Sequence, residues 1–369
     1  MSTAGTRPAS PAADSPAARP RRAPGGRIVV RIGRAAILVH PRSAIVTAAL
    51  AAAAILAAAA GLAVGTLGIP LAEVPAAVLG FADDARQVRV AQGIRLPRAV
   101  TALAAGAALG VAGAVFQSLS RNALGSPDVI GFTTGAATGA IAQIVLFDGD
   151  AVQVALGAAV GGIATAGVVV LLSSRGGSMG GSRLVLVGIG VGAIMAAVND
   201  LLLVKGDLER AVEANLWRSG SLDARTWEHA VPVLIAVIVL LPAIAALIRR
   251  ANLMELGDDL ASQLGVPVER TRLLLVALAV LLTAAATAAV GPIAFVALAA
   301  PQLVRRLNRS AGVPVWGSAA MGALLLTIAD VVTRLLPVAF QVPIGRMTGI
   351  VGGLYLIWLL LPGRNRAKV

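Results

Sequence analysis

Two charged side chains lie within an otherwise apolar stretch, where a charge has the strongest chemical consequences. Asp330 and Arg334 are four residues apart in the segment ADVVTRL, a spacing that places them on one face of a helix. A carboxylate inside an apolar helix either relays protons or forms an ion pair with a neighbouring cation. Asp200 is a second carboxylate of this kind, near the end of another apolar segment. The residues therefore allow both a proton pathway and structural pairing.

Motifs for ATP hydrolysis and zinc-dependent hydrolysis are absent from the sequence. The chain contains neither a GxxxxGK[ST] phosphate loop nor an HExxH zinc motif. It has no cysteine and only two histidines, which excludes thiolate metal sites and histidine-rich sites. We expect the protein not to be an enzyme, and we expect no catalytic residue, metal site or directly bound cofactor.

Composition places most of the chain in a membrane. Hydrophobic residues make up 57% of the sequence and charged residues only 13%. Apolar runs of about 20 residues recur along the chain, and each is long enough to cross a ~30 Å hydrocarbon core as a helix. The sequence therefore predicts an all-α polytopic membrane protein.

The apolar runs set the expected number of helices. They lie at 43–64, 98–118, 128–147, 151–173, 184–204, 229–248, 273–304, 314–333 and 343–361. The run 273–304 is too long for one crossing and contains Gly291 followed by Pro292, a helix break, so we divide it into two passes. We expect ten transmembrane helices in a domain at 42–363. Residues 1–41, rich in Pro, Ala, Ser and Arg, are expected to be a disordered basic tail, and 364–369 a short second tail.

Basic residues predict the orientation in the membrane. With the amino terminus inside and the spans alternating, most of the 31 Lys and Arg residues fall in cytoplasmic segments, and the outside segments are nearly balanced in charge. Both termini are therefore predicted to be cytoplasmic. The net charge of +13 follows from this orientation, so we infer no nucleic-acid partner from it.

One long polar segment, residues 250–272, interrupts the apolar pattern on the predicted cytoplasmic side. Its leucines recur at helical spacing, and Gly257 and Gly265 divide it, which predicts two short surface helices. A membrane protein with such a surface and no chemistry of its own is expected to depend on a partner that supplies energy.

Six motifs in the same order resemble the FecCD family of permease subunits. They are RLPRAVTALAAGAALGVAGAVFQSLSRNALGSPDVIGFTTGAATGA (95–140), LWRSGSLDARTW (216–227), LGDDLASQLGV (256–266), GPIAFVALAAPQLVRRL (291–307), ADVVTRL (329–335) and VPIGRMTGIVGGLYLIWLLL (342–361). The resemblance covers about 43–362. It implies the ten-helix permease fold of a type II ABC importer for iron-siderophore complexes, haem or vitamin B12.

The resemblance also implies partners and a location. A second permease subunit, identical or different, would complete the pathway, partner ABC ATPase subunits would hydrolyse ATP, and an extracytoplasmic binding protein would deliver the ligand. The variants PQLVRRL and GGLYLIWLLL are most similar to the ferric catecholate siderophore branch, whose permeases are often heterodimeric. The implied location is the bacterial cytoplasmic (inner) membrane, in contact with lipid.

Roles for individual residues follow from the same resemblance. The residues that would dock into the ATPase are Leu256, Gly257, Asp258, Asp259, Leu260, Gln263, Leu264 and Gly265. The residues that would dock the binding protein, or otherwise anchor to lipid headgroups, are Arg95, Arg98 and Arg334. The residues that would form the inner gate are Gly181, Ser182 and Leu186. Arg346 replaces an apolar residue at the outer mouth of the last span, where it is expected to attract an anionic ferric catecholate or to reach lipid headgroups.

Two other classes of function are open to these residues. A proton-coupled secondary transporter would use carboxylates such as Asp330, but it would leave the polar segment 250–272 without a role. A receptor or scaffold that transports nothing is the third class. Co-purification with an ATPase would distinguish the three.

Overall fold

The computed structural model describes residues 22–23, 27–32, 35–65, 67–174, 181–309, 312–336 and 342–360. The chain divides into two units, Met1–Ile45 and Val46–Val369. The first unit contains three strands, β1 (Arg22–Ala23), β2 (Arg27–Ile32) and β3 (Ala35–Val39). They pair antiparallel in the order β1-β2-β3, and Val30 of β2 faces Ile37 of β3 in the register.

These strands correct the expectation of a disordered tail for residues 22–39. The physical reason is composition: β2 reads RIVVRI and is rich in β-branched residues, which favour the extended conformation. Pairing with β3 then satisfies the backbone hydrogen-bonding groups. The segments 1–21 and 361–369 lie outside the described residues, so the rest of the amino-terminal tail and the short carboxy-terminal tail stay predictions.

Regular structure in the described part of the second unit is helical, apart from turns. The helices are α1 (Pro41–Ala63), α2 (Val74–Leu79), α3 (Ala85–Val90), α4 (Leu96–Ser120), α5 (Phe132–Leu146), α6 (Ala151–Ser173), α7 (Gly181–Lys205), α8 (Leu208–Arg218), α9 (Trp227–Met254), α10 (Asp258–Gln263), α11 (Val268–Val290), α12 (Val296–Asn308), α13 (Val315–Leu335) and α14 (Ile344–Leu360). A π-helical turn at 91–95 joins α3 to α4. The division of the run 273–304 is confirmed, because α11 ends just before Gly291.

Seven helices in the described part of the chain are long and apolar enough to cross a membrane. The helical fold is confirmed for this unit. By length and apolar character, however, seven of the described helices qualify as spans, whereas ten were expected. The reason is length: α5, α12 and α14 have 15, 13 and 17 residues, which corresponds to about 20–26 Å at 1.5 Å per residue. Each is shorter than a ~30 Å hydrocarbon core.

Helix α4 lies at the centre of the bundle and packs against α9, α11, α12 and α13. Its apolar stretch is 83% buried within the chain, whereas that of α9 is only 17% buried. Gly106 and Gly110 of α4 pack against the backbone of Gly322 and Ser318 in α13. Small residues allow this close approach, which supplies van der Waals contact where lipid gives no hydrophobic driving force between helices.

Ion pairs identify the two ends of the bundle. At one end Arg121, which follows α4, pairs with Asp258 in α10, and we call this the α10 end. At the other end Arg98, in the first turn of α4, pairs with Asp223 in the loop after α8, and we call this the α8 end. The residues that the sequence singled out are distributed over both ends and the space between them.

Candidate functional site

The polar segment at residues 250–272, which we call the coupling segment after its predicted role, contains one short helix. Helix α9 continues to Met254, α10 covers Asp258–Gln263, and α11 begins at Val268. The prediction of two short helices is therefore wrong. Leu253 belongs to the last turn of α9 and Glu269 to the first turn of α11, so only the middle part forms a separate helix.

Three leucines of the coupling segment are turned to solvent at the α10 end. Leu256, Leu260 and Leu264 have 62%, 45% and 56% of their surface exposed. Ala261 and Val266 are buried between them and hold α10 against the bundle. The other exposed residues of the predicted set are Asp259, Gln263 and Gly265. A group of exposed large apolar side chains is typical of surfaces that contact another protein or a membrane.

Asp258 is the member of the set that bonds inward. Its carboxylate accepts hydrogen bonds from Arg121 at 2.5 Å and from Arg272 at 2.7 Å, and Arg121 also donates to the carbonyl oxygen of Met254. Burial alone would raise the pKa of Asp258, but the hydrogen bonds and charges of Arg272 and Arg121 hold it below its usual value. Asp258 therefore stays ionised and ties α10 to the end of α4 and to α11.

The three arginines predicted to dock the binding protein lie together at the α8 end, but their side chains bond within the chain. Arg98 pairs with Asp223 at 2.5 Å and with Asp330 at 2.8 Å. Arg334 pairs with the other oxygen of Asp330 at 2.7 Å, which confirms the predicted pair at four-residue spacing. The Asp330 side chain is only 3% exposed, so this carboxylate is a buried link between α4 and α13.

Arg95 and Arg334 also cap helix α1. Arg95 is 7% exposed, and its guanidinium donates to the carbonyl oxygens of Leu62, Ala63 and Leu67. Arg334 donates to the carbonyl oxygen of Gly61. The last carbonyl groups of a helix have no partner within it, so cationic side chains stabilise such an end. Arg98 and Arg334 meet at Asp330, whereas Arg95 bonds to the end of α1 and does not join that pair.

The predicted gate residues lie in the first turns of α7, which begins at Gly181 and continues through Ser182. Leu186 is 70% exposed. An apolar side chain that points away from its own chain is suited to meet another subunit or the membrane. The role of these three residues as a gate stays a prediction.

A polar cavity of about 540 Å³ lies between the ends of several helices. Its charged lining residues are Asp128, Arg218 and Arg346, so it contains the arginine that the sequence singled out at the start of α14. Its uncharged lining residues are Thr133, Thr134, Asn215, Ser219, Pro292, Ala294 and Gly345. Residues from α5, α8 and α14 and from the turn between α11 and α12 thus meet around one space.

Close packing of the start of α14 against the turns that follow α8 and α11 forms one wall of this cavity. The backbone N–H of Gly345 approaches the carbonyl oxygen of Gly220, and the N–H of Ser221 donates to the carbonyl of Val290. A Cβ atom at position 345 would fall on the carbonyl oxygens of Ser219 and Pro292. Glycine is therefore required at 345 for α14 to start at this point, and Arg346 follows directly.

The segment between α4 and α5 returns into the bundle and brings polar residues to the cavity. A Cβ atom at Gly131 would lie 3.2 Å from the backbone of both Gly188 and Gly192 in α7. Helix α7 starts at Gly181, and Gly192 is about 16 Å further along at 1.5 Å per residue. The 3₁₀ turn at 127–130 and the start of α5 therefore lie beside the middle of α7, a helix long and apolar enough to cross a membrane. Backbone that is not α-helical is tolerated beside a spanning helix where protein buries it or where it lines a cavity.

Asp128, Asn215 and Arg218 are site residues that the sequence reasoning missed. Asp128 stands at the first position of the predicted span 128–147, and a carboxylate at the edge of an apolar run was an available signal. Asn215 and Arg218 lie on α8, which falls between the apolar runs 184–204 and 229–248. No pattern in the sequence connects residues 128, 218 and 346, because only the tertiary fold brings them together.

Comparison with known proteins identifies the family of the chain. The FecCD transport family matches residues 43–362. The ferric enterobactin transport system permease protein FepG of Escherichia coli (strain K12) is 48% identical over 301 residues, which cover 82% of this chain and 91% of FepG. The probable siderophore transport system permease protein YfhA of Bacillus subtilis (strain 168) is 38% identical over 73% of this chain and 81% of YfhA.

A solved structure shares the fold over nearly its whole length. It is an inward-facing conformation of a metal-chelate type ABC transporter, with a TM-score of 0.77, 27% identity, and coverage of 86% of this chain and 99% of that chain. The family match, the sequence identities and the shared fold lead to the same assignment. This chain belongs to the FecCD transport family, the membrane permease components of ABC importers, whose ATPase is a separate subunit.

Proposed function

We propose that this chain forms one half of the membrane pathway of an ATP-driven importer, and that its cargo is a ferric siderophore of the catecholate class. The observation that carries the proposal is the 48% identity to a ferric enterobactin permease across 82% of the chain. The position of Arg346 in a polar cavity supports an anionic cargo. A haem or vitamin B12 permease is the second candidate within the same family.

Proton coupling is disfavoured by the surroundings of Asp330. A proton relay needs a carboxylate that alternately binds and releases a proton. Asp330 is instead held between the guanidinium groups of Arg98 and Arg334 at 2.8 and 2.7 Å. Its role is structural pairing between α4 and α13, so energy has to come from a partner.

The proposed topology has ten crossings with both termini in the cytoplasm of a bacterial inner membrane. The short helices α5, α12 and α14 complete the count, because the segments 121–131 and 291–295, which are not α-helical, cover part of the depth before α5 and α12. In this orientation the α10 end is cytoplasmic and the α8 end faces outside. The distribution of Lys and Arg supports the orientation.

The ATPase is proposed to bind at the coupling segment. Leu256, Leu260 and Leu264 supply exposed apolar surface at the α10 end. Asp258 connects that surface to Arg121 and Arg272 by charge-assisted hydrogen bonds. A movement of the ATPase would therefore reach α4 and α11 through named contacts, and ATP would be hydrolysed only by the partner.

The binding protein is proposed to dock at the α8 end near Arg98. The Arg98 side chain is 17% exposed, and its partner Asp223 is 38% exposed. An acidic side chain of the binding protein would compete with Asp223 for this guanidinium. Arg334 lies beside Arg98, on the other oxygen of Asp330, whereas Arg95 is buried in its contacts with α1.

The second permease subunit is proposed to pack against α7 and α14. Only 22% of the apolar stretch of α7 is buried within this chain. Gly190 on α7 and Gly349 and Gly353 on α14 have no neighbouring atom within 4 Å of an added Cβ in the described part of the chain. Exposed small residues of this kind allow close helix approach in a bilayer. Both an identical and a different partner chain fit this surface.

Reconstitution tests the proposed function. The chain would be co-expressed with candidate permease and ATPase subunits, purified as a complex, and placed in proteoliposomes with the binding protein outside. We expect ATP-dependent uptake of a radiolabelled ferric catecholate and none with an ATPase subunit that lacks its phosphate-loop lysine. Uptake driven by a pH gradient without ATP would support the secondary transporter instead, and uptake of haem or cobalamin alone would support the second candidate.

A further inference from the structure

The polar cavity contains two guanidinium groups with little internal compensation. Arg346 is exposed, and no side chain in the described part of the structure pairs with it. Arg218 has only a long contact of 3.8 Å to Asp200, whose side chain is 74% exposed. A pair at that distance in contact with water contributes little. Both arginines are thus available to a ligand.

The opposite charge in the cavity comes from Asp128. Its carboxylate accepts a hydrogen bond from the hydroxyl of Thr133, and it is the acidic residue among the described lining residues. Two guanidinium groups against one carboxylate leave the cavity with an excess of positive charge. Asn215 and Ser219 add polar groups on the α8 side.

The same composition argues against a bare metal ion as the ligand. Ferric iron requires several hard oxygen ligands, and the described residues contain no group of three or more His, Cys, Asp or Glu side chains able to hold a metal. Arginine instead binds anionic oxygens through its planar fork and stacks on aromatic rings. A chelate that presents anionic oxygens and aromatic faces matches both properties.

We propose that Arg218 and Arg346 bind the intact, negatively charged metal chelate partway through the membrane, and that this chain thereby selects anionic over neutral chelates. This inference rests on the proposed function. The cavity of about 540 Å³ is within the ~300–1,000 Å³ range of small-molecule sites. It reaches from the turn at Pro292 to the start of α5, which lies beside the middle of α7. Asp128 keeps the net attraction moderate, which a transport site requires because the ligand must also leave.

The test compares two probes of different charge in the reconstituted importer. The probes are Fe(III) tris-catecholate, which is a trianion, and a neutral Fe(III) tris-hydroxamate, each presented with the binding protein. Arg346→Gln is the main variant, because an exposed side chain without a partner is removable without damage to the fold. Arg218→Gln is the second variant. Arg86→Gln, an exposed arginine of α3 outside the cavity, is the matched control.

We expect Arg346→Gln and Arg218→Gln each to lower ATP-dependent uptake of the trianion at least about tenfold, the effect of losing a hydrogen bond to a charged group. Uptake of the neutral probe should change less than about twofold, and Arg86→Gln should match the parent with both probes. Equal losses for the two probes, or no loss for either, would overturn the inference. A parent that carries only the neutral probe would also overturn it, and would contradict the catecholate cargo of the proposed function while leaving ATP-driven import itself intact. A parent that carries neither chelate would contradict the proposed function itself.

Discussion

Replacement of Asp330 by Asn tests whether the buried ion pairs hold the α8 end of the bundle together. The substitution preserves the size of the side chain but removes the charge between Arg98 and Arg334, which lie 2.8 and 2.7 Å from its oxygens. The two guanidinium groups would then face each other without an intervening anion. Both also anchor other contacts, to Asp223 and to the carbonyl of Gly61, so they have little freedom to separate.

The expected loss in the free energy of unfolding follows from the burial of Asp330. Removal of one partner from a buried ion pair costs about 3–5 kcal/mol, because the remaining charge stays uncompensated. Asp330 is 3% exposed but its two arginines are 17% and 19% exposed, so water reaches part of the site and we expect the lower value, about 3 kcal/mol. Asp223→Asn is the matched control, since it breaks a pair with the same Arg98 but is 38% exposed. That pair should contribute only ~0.2–1 kcal/mol.

The measurement is the free energy of unfolding of the purified chain, from SDS titration in mixed micelles followed by circular dichroism. Both variants would be compared with the parent at the same detergent composition. A loss for Asp330→Asn no larger than that for Asp223→Asn would show that the buried pair does not stabilise the bundle, and the reasoning from burial would be refuted.

Three further predictions concern transport. Gly265→Trp should reduce uptake but leave ATP hydrolysis intact. Gly265→Ala is the control: it has the same ~1–2 kcal/mol backbone cost at φ +81° and should transport nearly normally. Normal uptake by the Trp variant would contradict coupling through this segment. Leu186→Ala should increase the leak of chelate from liposomes in the absence of ATP. Leu201→Ala, an equally exposed leucine of the same helix, is the control. Equal leak from the two variants would place the gate elsewhere. Arg98→Glu should weaken binding-protein association and flatten the salt dependence of that association, whereas Asp223→Asn should strengthen the association. Unchanged affinity across a salt titration would exclude docking at Arg98.

Local sequence patterns were sufficient for most of the helices. The apolar run 43–64 corresponds to α1 at Pro41–Ala63, and the Gly291-Pro292 break separates α11 from α12 as expected. The pair Asp330–Arg334 was also predicted, because residues four positions apart lie on the same face of a helix. Apolar runs, helix breaks and pairs at helical spacing depend on residues that are close in the chain, so a single sequence is sufficient to predict them.

Patterns at the edges of elements were less informative. The strands at 22–39 were missed because charge and proline in the surrounding tail outweighed a short β-branched stretch. The coupling segment was given one helix too many because the ends of α9 and α11 continue the same leucine spacing. Helix boundaries depend on caps and tertiary contacts as well as periodicity.

The sequence by itself determined that this protein is a helical membrane permease, and it predicted a surface for an energy-supplying partner, since composition, periodicity and collinear motifs can be read along the chain. Only the tertiary structure decided which charges pair and which stay free. Arg98 meets Asp223 and Asp330 across 125 and 232 residues of chain, and this pairing turns a predicted docking residue into an internal link as well. Arg218 and Arg346 converge on a cavity for the same reason: helix packing, and not sequence spacing, sets which distant side chains share one space.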